Sequence, residues 1–328
     1  VRSYLNGLGV TSGLYNSSTI DLGSQMSTAN LSWTPSGVGT GNGELLYSDT
    51  GLFAQWNLNE TSGTTAASGG SCGSSCNGTL TNFASTGSQD ADSRTGWTAS
   101  NKKWGAGSLV LDGANDYIHI GDKDSFDALT ELSTCAWVKH NDISDDDHIL
   151  SKVDNATWSG FMLLRDDVGQ ESGRTDMYKV WVDKNNAGAK YIEGSSNSSR
   201  LGEWTYVCAT FKANDTTGLR LYVNGVEDPH SPVSTVGLNS IDSGSANLVI
   251  GRYDPTAANY FNGIMDSVQV FSRVLPASEI LSNYQAGNIQ FLYRTSNNGS
   301  TWSDWESYGD GALRFGGSSY VLNSAPSN

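Results

Sequence analysis

LRLYVNG, residues 219–225, is the stretch that decides the fold. Its apolar side chains recur at every second position, the period of a strand with one buried face. Asn224-Gly225 then supplies the two positive-φ positions of a tight hairpin turn, so the segment predicts a strand that doubles back on a partner. The same alternation runs outward through LSTCAWVK (132–139) and GEWTYVCATF (202–211), and it turns Trp137 and Trp204 toward a core as packing residues. Only 16% of the 328 residues are charged and 38 are Gly, a composition that fits an all-β protein with many turns. One segment, PASEILSNYQ (276–285), predicts a short helix, with Pro at its start and Gly287 beyond its end.

Farther out, two separated stretches read as halves of one smaller sandwich. YNSSTIDLGSQMSTANLSWT (15–34) alternates, then stops in the Gly-rich run 37–43 before enough strands exist to close a sheet. IQFLYR (289–294), the turn at 296–299 and the pair Trp302 and Trp305 resume the same style. The span 51–287 reads as self-contained. The expected organisation is therefore a discontinuous outer β-sandwich, residues 1–50 and 288–328, interrupted by a complete domain at 51–287.

That inner domain carries a resemblance. GLFAQWNLNETSGT (51–64), WGAGSLVLDGANDYIHIG (104–121), LSTCAWVK, GEWTYVCATF, LRLYVNG, LVIG (248–251) and FNGIMDSVQVFSRVLPASEI (261–280) follow one another in this order. Together they resemble the laminin-G-like members of the concanavalin A-like jelly rolls, the group that includes the pentraxins. The resemblance implies a laminin-G-like antiparallel β-sandwich inserted into a second, smaller β-sandwich. YRTSNNGSTWSDW (293–305) is more loosely similar to jelly-roll modules of large microbial surface proteins, which implies a cell-surface setting.

The cysteines bear on the compartment. Cys72 and Cys76 form CGSSC in a Gly/Ser loop, too widely spaced for a CxxC redox or zinc pair, and the short loop favours a bridge between them. Cys135 and Cys208 lie in mid-strand, and pentraxins join the two corresponding positions, so the resemblance implies a second bridge. Two bridges imply an oxidising, extracytoplasmic home. The net charge of −15 opposes binding to nucleic acid or to an anionic membrane. No apolar run approaches the ~20 residues of a membrane span, and Val1 opens the chain without a signal-peptide pattern, so the sequence reads as mature or excised.

Candidate chemistry is sparse. Relatives often hold a structural calcium where this chain has SGGSCGSSCNGT (68–79), which lacks a carboxylate. Asp112, Asn115 and Asp116 in LDGANDY, with Asp266, are the alternative set of hard oxygen ligands for calcium at one rim, although Asp112 and Asn115 also read as ordinary turn residues. By loose analogy with the pentraxin ligand site, Asp154, Asn155, Arg252 and Asp254 are ligand-binding candidates, and the loop aromatic Trp158 could stack on a sugar. No pair of carboxyls on a glycosidase-type strand, no nucleophile elbow, phosphate loop or dinucleotide fingerprint is present, so catalysis is not expected.

Among eight Asn-x-Ser/Thr sequons, Asn77, Asn197 and Asn298 sit in polar, turn-like stretches and are the glycosylation candidates. Val1, Arg2, Ser3, Tyr4, Leu5, Asn6, Gly7 and Leu8 form a strand-like lead-in without a local partner, while the outer sandwich lacks a last strand. Head-to-tail self-assembly by strand addition explains both facts, and so does a tandem array of copies. The expected function is that of an extracellular structural and adhesive protein acting by assembly and contact. The rival expectation is a calcium-dependent carbohydrate-binding module of a larger secreted protein.

Overall fold

The structure, a computed structural model, describes residues 29–31, 43–89, 95–169, 172–184, 188–254, 258–286, 292–293, 300–301, 306–307 and 320–322. In chain order the strands are β1 (Ala29–Leu31), β2 (Leu52–Trp56), β3 (Thr65–Ala66), β4 (Gly78–Thr81), β5 (Gly96–Thr98), β6 (Ser108–Asp112) and β7 (Tyr117–Gly121). There follow β8 (Glu131–His140), β9 (Asp147–Asp154), β10 (Ser159–Val168), β11 (Thr175–Asp183), β12 (Lys190–Glu193), β13 (Thr205–Lys212), β14 (Leu219–Val223), β15 (Val226–Glu227), β16 (Leu248–Ile250) and β17 (Asn262–Phe271). The helix α1 (Ala277–Gln285) comes next, then β18 (Leu292–Tyr293), β19 (Glu306–Ser307) and β20 (Tyr320–Leu322).

Two compact units divide the chain: Ser48–Tyr284, and a discontinuous one of Val1–Tyr47 with Gln285–Asn328. The first unit starts slightly before residue 51 because the side chain of Arg273 donates to the Thr50 carbonyl and Ser272 N–H donates to Gly51, which ties the lead-in to the end of β17. Of the discontinuous unit, the described residues show two antiparallel pairs, β1 with β20 and β18 with β19. Residues 1–8, Asn298 and most of the second sandwich expected there lie outside the described residues.

The first unit is an all-β jelly-roll sandwich. One sheet has the order β12-β11-β10-β9-β16-β7-β4-β3, the other β15-β14-β13-β8-β17-β6-β5, with β2 also pairing on β17. Alternation along each strand decides what lies between the sheets. From β8 the core takes Leu132, Ala136 and Val138; from β13 it takes Val207, Ala209 and Phe211; Trp56, Trp97, Phe126 and Phe161 add the largest side chains. At roughly 2–5 kcal/mol for truncating one such aliphatic side chain to Ala, this layer dominates the stability of the unit. The hairpin read from LRLYVNG is present: β14 turns into β15 through Asn224 (φ 52°) and Gly225 (φ 79°).

Trp137 departs from expectation. It is 2% exposed, yet it alternates with the core residues of β8 and so points away from the opposite sheet. What buries it is α1, whose Tyr284 ring stacks on Trp137 at 5.7 Å, together with Tyr206 at 5.0 Å and the Lys103 ammonium 4.1 Å above the indole. Trp204 is also buried and also outside the core cluster. The helix is seated by a two-pronged contact between Arg273 and Glu279 in its first turn. Both disulfides form. Cys72 joins Cys76, and Cys135 joins Cys208 directly across the β8–β13 pair, a bridge within one sheet on this outward face.

Candidate functional site

The loops after β7, between β9 and β10, and before β16 meet at one rim of the sandwich. β9 reaches that rim with DHILSKVD, a strand buried along almost its whole length that carries one lysine. In register Lys152 stands opposite the core residue Phe161, so its stem runs inward and only its ammonium reaches the rim. The side chain is fully buried. Its Nζ lies 3.1 Å from Asp122 Oδ1, 3.2 Å from Asp127 Oδ1 and 3.2 Å from the Gly244 carbonyl oxygen. Ser243 Oγ adds a hydrogen bond to the same Asp127 oxygen. Asp124 completes a group of three carboxylates whose oxygens lie within 4.8 Å of one another.

The β9–β10 turn stands beside this cluster. Asp154 Oδ1 accepts the Ala156 N–H at 2.8 Å and Oδ2 accepts the Thr157 hydroxyl at 2.8 Å, which closes the turn on itself. Asn155 is exposed at the tip, and Trp158 leaves the turn 47% exposed with φ 49°. A left-handed backbone is uncommon for a bulky residue, and such strain persists only where surrounding bonds impose it. The Gly244 backbone comes close to Asp154, since a methyl there would lie 3.7 Å from Oδ2.

Arg252 and Asp254 form a hydrogen-bonded group of their own. Arg252 stacks on the Tyr117 ring at 3.7 Å, pairs with Asp254, and its carbonyl accepts from Ser151; Asp254 also accepts from Asn247. Among the described residues, no hydrogen bond or ion pair joins this group to Asp154, Asn155 or Trp158. The five ligand candidates thus fall into two local arrangements, because the segment after β16 folds back over its own sheet while the β9–β10 turn projects from a strand end.

The calcium set is brought together only in part: Asp112, Asn115 and Asp116 share the turn between β6 and β7, and Asp266 lies apart. Asp112 Oδ1 already accepts the N–H groups of Ala114, Asn115 and Asp116, the pattern of a side chain capping its own turn. Asp112 pairs with Asn262 of β17, whereas Asp266 lies farther along that strand opposite Trp137. At the rise of an extended strand that is about 13 Å. Asp266 instead accepts the N–H groups of Lys103 and Trp104. The four residues thus do not converge on one point.

A second acidic group, Asp146, Asp166 and Asp167, gathers where β10 approaches the loop before β9. Lys179 neutralises part of it, bonding Asp166 at 2.8 Å and Glu193 at 3.2 Å. Burial, reinforced by the charges of Asp166 and Asp167, pushes the Asp146 carboxyl up to about 6. For Glu193 burial works in the opposite direction to its bonds from Ser172 and Lys179, and the bonds prevail, holding it at about 2. At His140 and Asp147 the two sheets are tied by a buried 2.8 Å contact at one end. Of the sequons, Asn197 is exposed, while the Asn77 side chain is occupied in accepting the Ser68 N–H.

Sequence reading found the turn with Asp154 and Trp158 but missed Lys152, Asp122, Asp127 and Gly244. The available signal was faint: a lysine two residues after Leu150, on the inward parity of a strand already mixed in polarity.

Comparison with known proteins now places this architecture. The family model for the concanavalin A-like lectin/glucanases superfamily matches residues 112–281, more than half of the chain. Adhesion G-protein coupled receptor D1 of Homo sapiens is 35% identical over 83 residues, which is 25% of this chain and only 9% of the receptor. The botulinum neurotoxin serotype G binding domain superposes with a TM-score of 0.50 at 15% identity, over 74% of this chain and 56% of that one. Domain 4 of AbnA, an extracellular arabinanase of Geobacillus stearothermophilus solved with arabinotriose, gives 0.48 at 18% identity, over 71% of this chain and 98% of that domain. With its two antiparallel sheets, its within-sheet disulfide and this match over most of the sandwich, the chain belongs to the concanavalin A-like lectin/glucanases superfamily.

Proposed function

We propose that the chain is part of an extracellular, cell-surface protein that works by contact and assembly, with the Trp158 rim as its adhesive surface. The observation carrying this reading is Trp158 itself: a large aromatic held half exposed, in a left-handed backbone, by a turn whose polar groups are satisfied internally. An aromatic on a rigid support is the kind of anchor that dominates interfaces. The disulfides fit an oxidising compartment. The short likeness to an adhesion receptor points the same way.

Catalysis finds no support in the acidic groups. Their oxygens lie within 4.8 Å of one another, closer than the ~5–9.5 Å at which paired carboxyls work on a glycosidic bond. The rival reading, a carbohydrate-binding module, uses the same indole, whose flat face suits the C–H face of a sugar. Assembly rests on residues 1–8 and on the sequence pattern of the outer unit.

The test is retention on immobilised glycans and on source-cell envelopes, comparing the protein with Trp158→Ala. Loss of about tenfold or more in envelope binding at unchanged melting temperature supports a contact rim, and the glycan arm identifies a sugar ligand. Undiminished binding of Trp158→Ala to both surfaces refutes the rim assignment.

A further inference from the structure

The geometry around Lys152 points to an internal cation: we propose that its ammonium occupies the position a divalent metal would take among Asp122, Asp127 and the Gly244 carbonyl, so that this rim is ordered without calcium.

An ammonium has three N–H donors and no acceptor. Three oxygens meet Nζ, at 3.1, 3.2 and 3.2 Å, and they come from two carboxylates and one backbone carbonyl. Carboxylates plus a loop carbonyl are the donor set of a calcium site. Here the set is saturated by a side chain of the protein. The oxygens also come from two segments distant in sequence, residues 122–127 after β7 and residues 243–244 before β16, and Lys152 arrives on a third, β9. Without a cation the crowded carboxylates would repel one another, and the two loops would lose their common tie. A lysine buried this fully is tolerated only when its charge is paired and its donors are used.

The choice of lysine has a consequence for binding. A metal site orders its loops only above a threshold ion concentration, whereas a covalently attached cation is always present. The β9–β10 turn, two residues beyond Lys152, is therefore held in place at any calcium level. This inference concerns how the rim is ordered and stands whether its ligand is a sugar, a protein or neither.

Amide hydrogen exchange of the whole chain, in EDTA and in millimolar calcium, tests it. In the wild type, exchange of residues 122–127 and 242–246 is expected to be the same in both conditions. In Lys152→Ala both segments should exchange at least about tenfold faster in EDTA, and calcium should restore part of the protection. Lys152→Ala combined with Asp122→Asn should show no such restoration. Calcium slowing exchange of those segments in the wild type overturns the proposal, because a metal would then be bound beside the lysine. So does a Lys152→Ala protein that keeps full protection, or one whose loops calcium leaves unprotected. Should Lys152→Ala fail to fold, the wild-type comparison still decides the question.

Discussion

Asp112 and Asp116 share the turn between β6 and β7 yet are driven in opposite directions. For Asp112 burial raises the pKa, but the N–H groups of Ala114, Asn115 and Asp116 outweigh it and hold the carboxyl below the usual range. Asp116 is buried beside that charge and is pushed up to about 6. A raised carboxyl means the folded state binds its proton more tightly than the unfolded chain. This contribution is present below about pH 4 and is lost as the pH rises through about 6. Asp116→Asn, whose amide oxygen can still accept the Asp112 N–H, is expected to stabilise the fold at pH 7 by about 1 kcal/mol after allowance for solvent screening. The gain should vanish near pH 4. Denaturant unfolding at both pH values checks it, and a variant less stable than wild type at pH 7 would contradict it. At this scale the sequence was legible where function is local: the Asp154 turn and Trp158 are one contiguous stretch. It was not legible where partners are distant, since nothing in local spacing links Lys152 to Asp127 or Gly244.

Among the elements, strands were legible and their outer faces were not. Period-two alternation located β8, β13 and β14, but it shows only that one face is buried, and here both faces of the second sheet are covered. Its outward face, with Trp137, Tyr206 and the Cys135–Cys208 bridge, is closed by α1 and by the loop bearing Lys103 and Trp104. The alternating tryptophan thus read as core when its partner was the helix. Gly225 shows how close that helix comes: a methyl there would lie 3.0 Å from Leu281 and 3.1 Å from Tyr284, at a φ of 79°. Tyr284→Ala is expected to cost about 2–3 kcal/mol and to red-shift tryptophan emission as Trp137 becomes wetted. Thermal unfolding followed by fluorescence measures both. Unchanged stability and emission would show that α1 does not seal this face.

On the scale of the whole molecule, Ser48–Tyr284 holds every strand of both large sheets. A fragment of those residues is expected to fold alone and stay monomeric. The full chain should polymerise at high concentration, and deleting residues 1–8 should abolish the polymers without unfolding the sandwich. Size-exclusion chromatography with circular dichroism distinguishes the outcomes. An unfolded fragment would mean the units depend on each other, and polymers from the deleted chain would favour a tandem array over strand donation. The Gly-rich and polar stretches near residues 37–43 and 287 are what the sequence offers for a boundary, since they interrupt an otherwise continuous alternation.

The pairing of β2 with β17 has a consequence for synthesis. β2 is the first strand of the two large sheets and β17 the last, and they are antiparallel neighbours, with Leu52 opposite Phe271. A ribosome therefore makes nearly the whole unit before β2 can meet its strand partner. Pairing across so long a stretch of chain closes late and slowly, and until then the apolar side chains of β2 wait without their sheet.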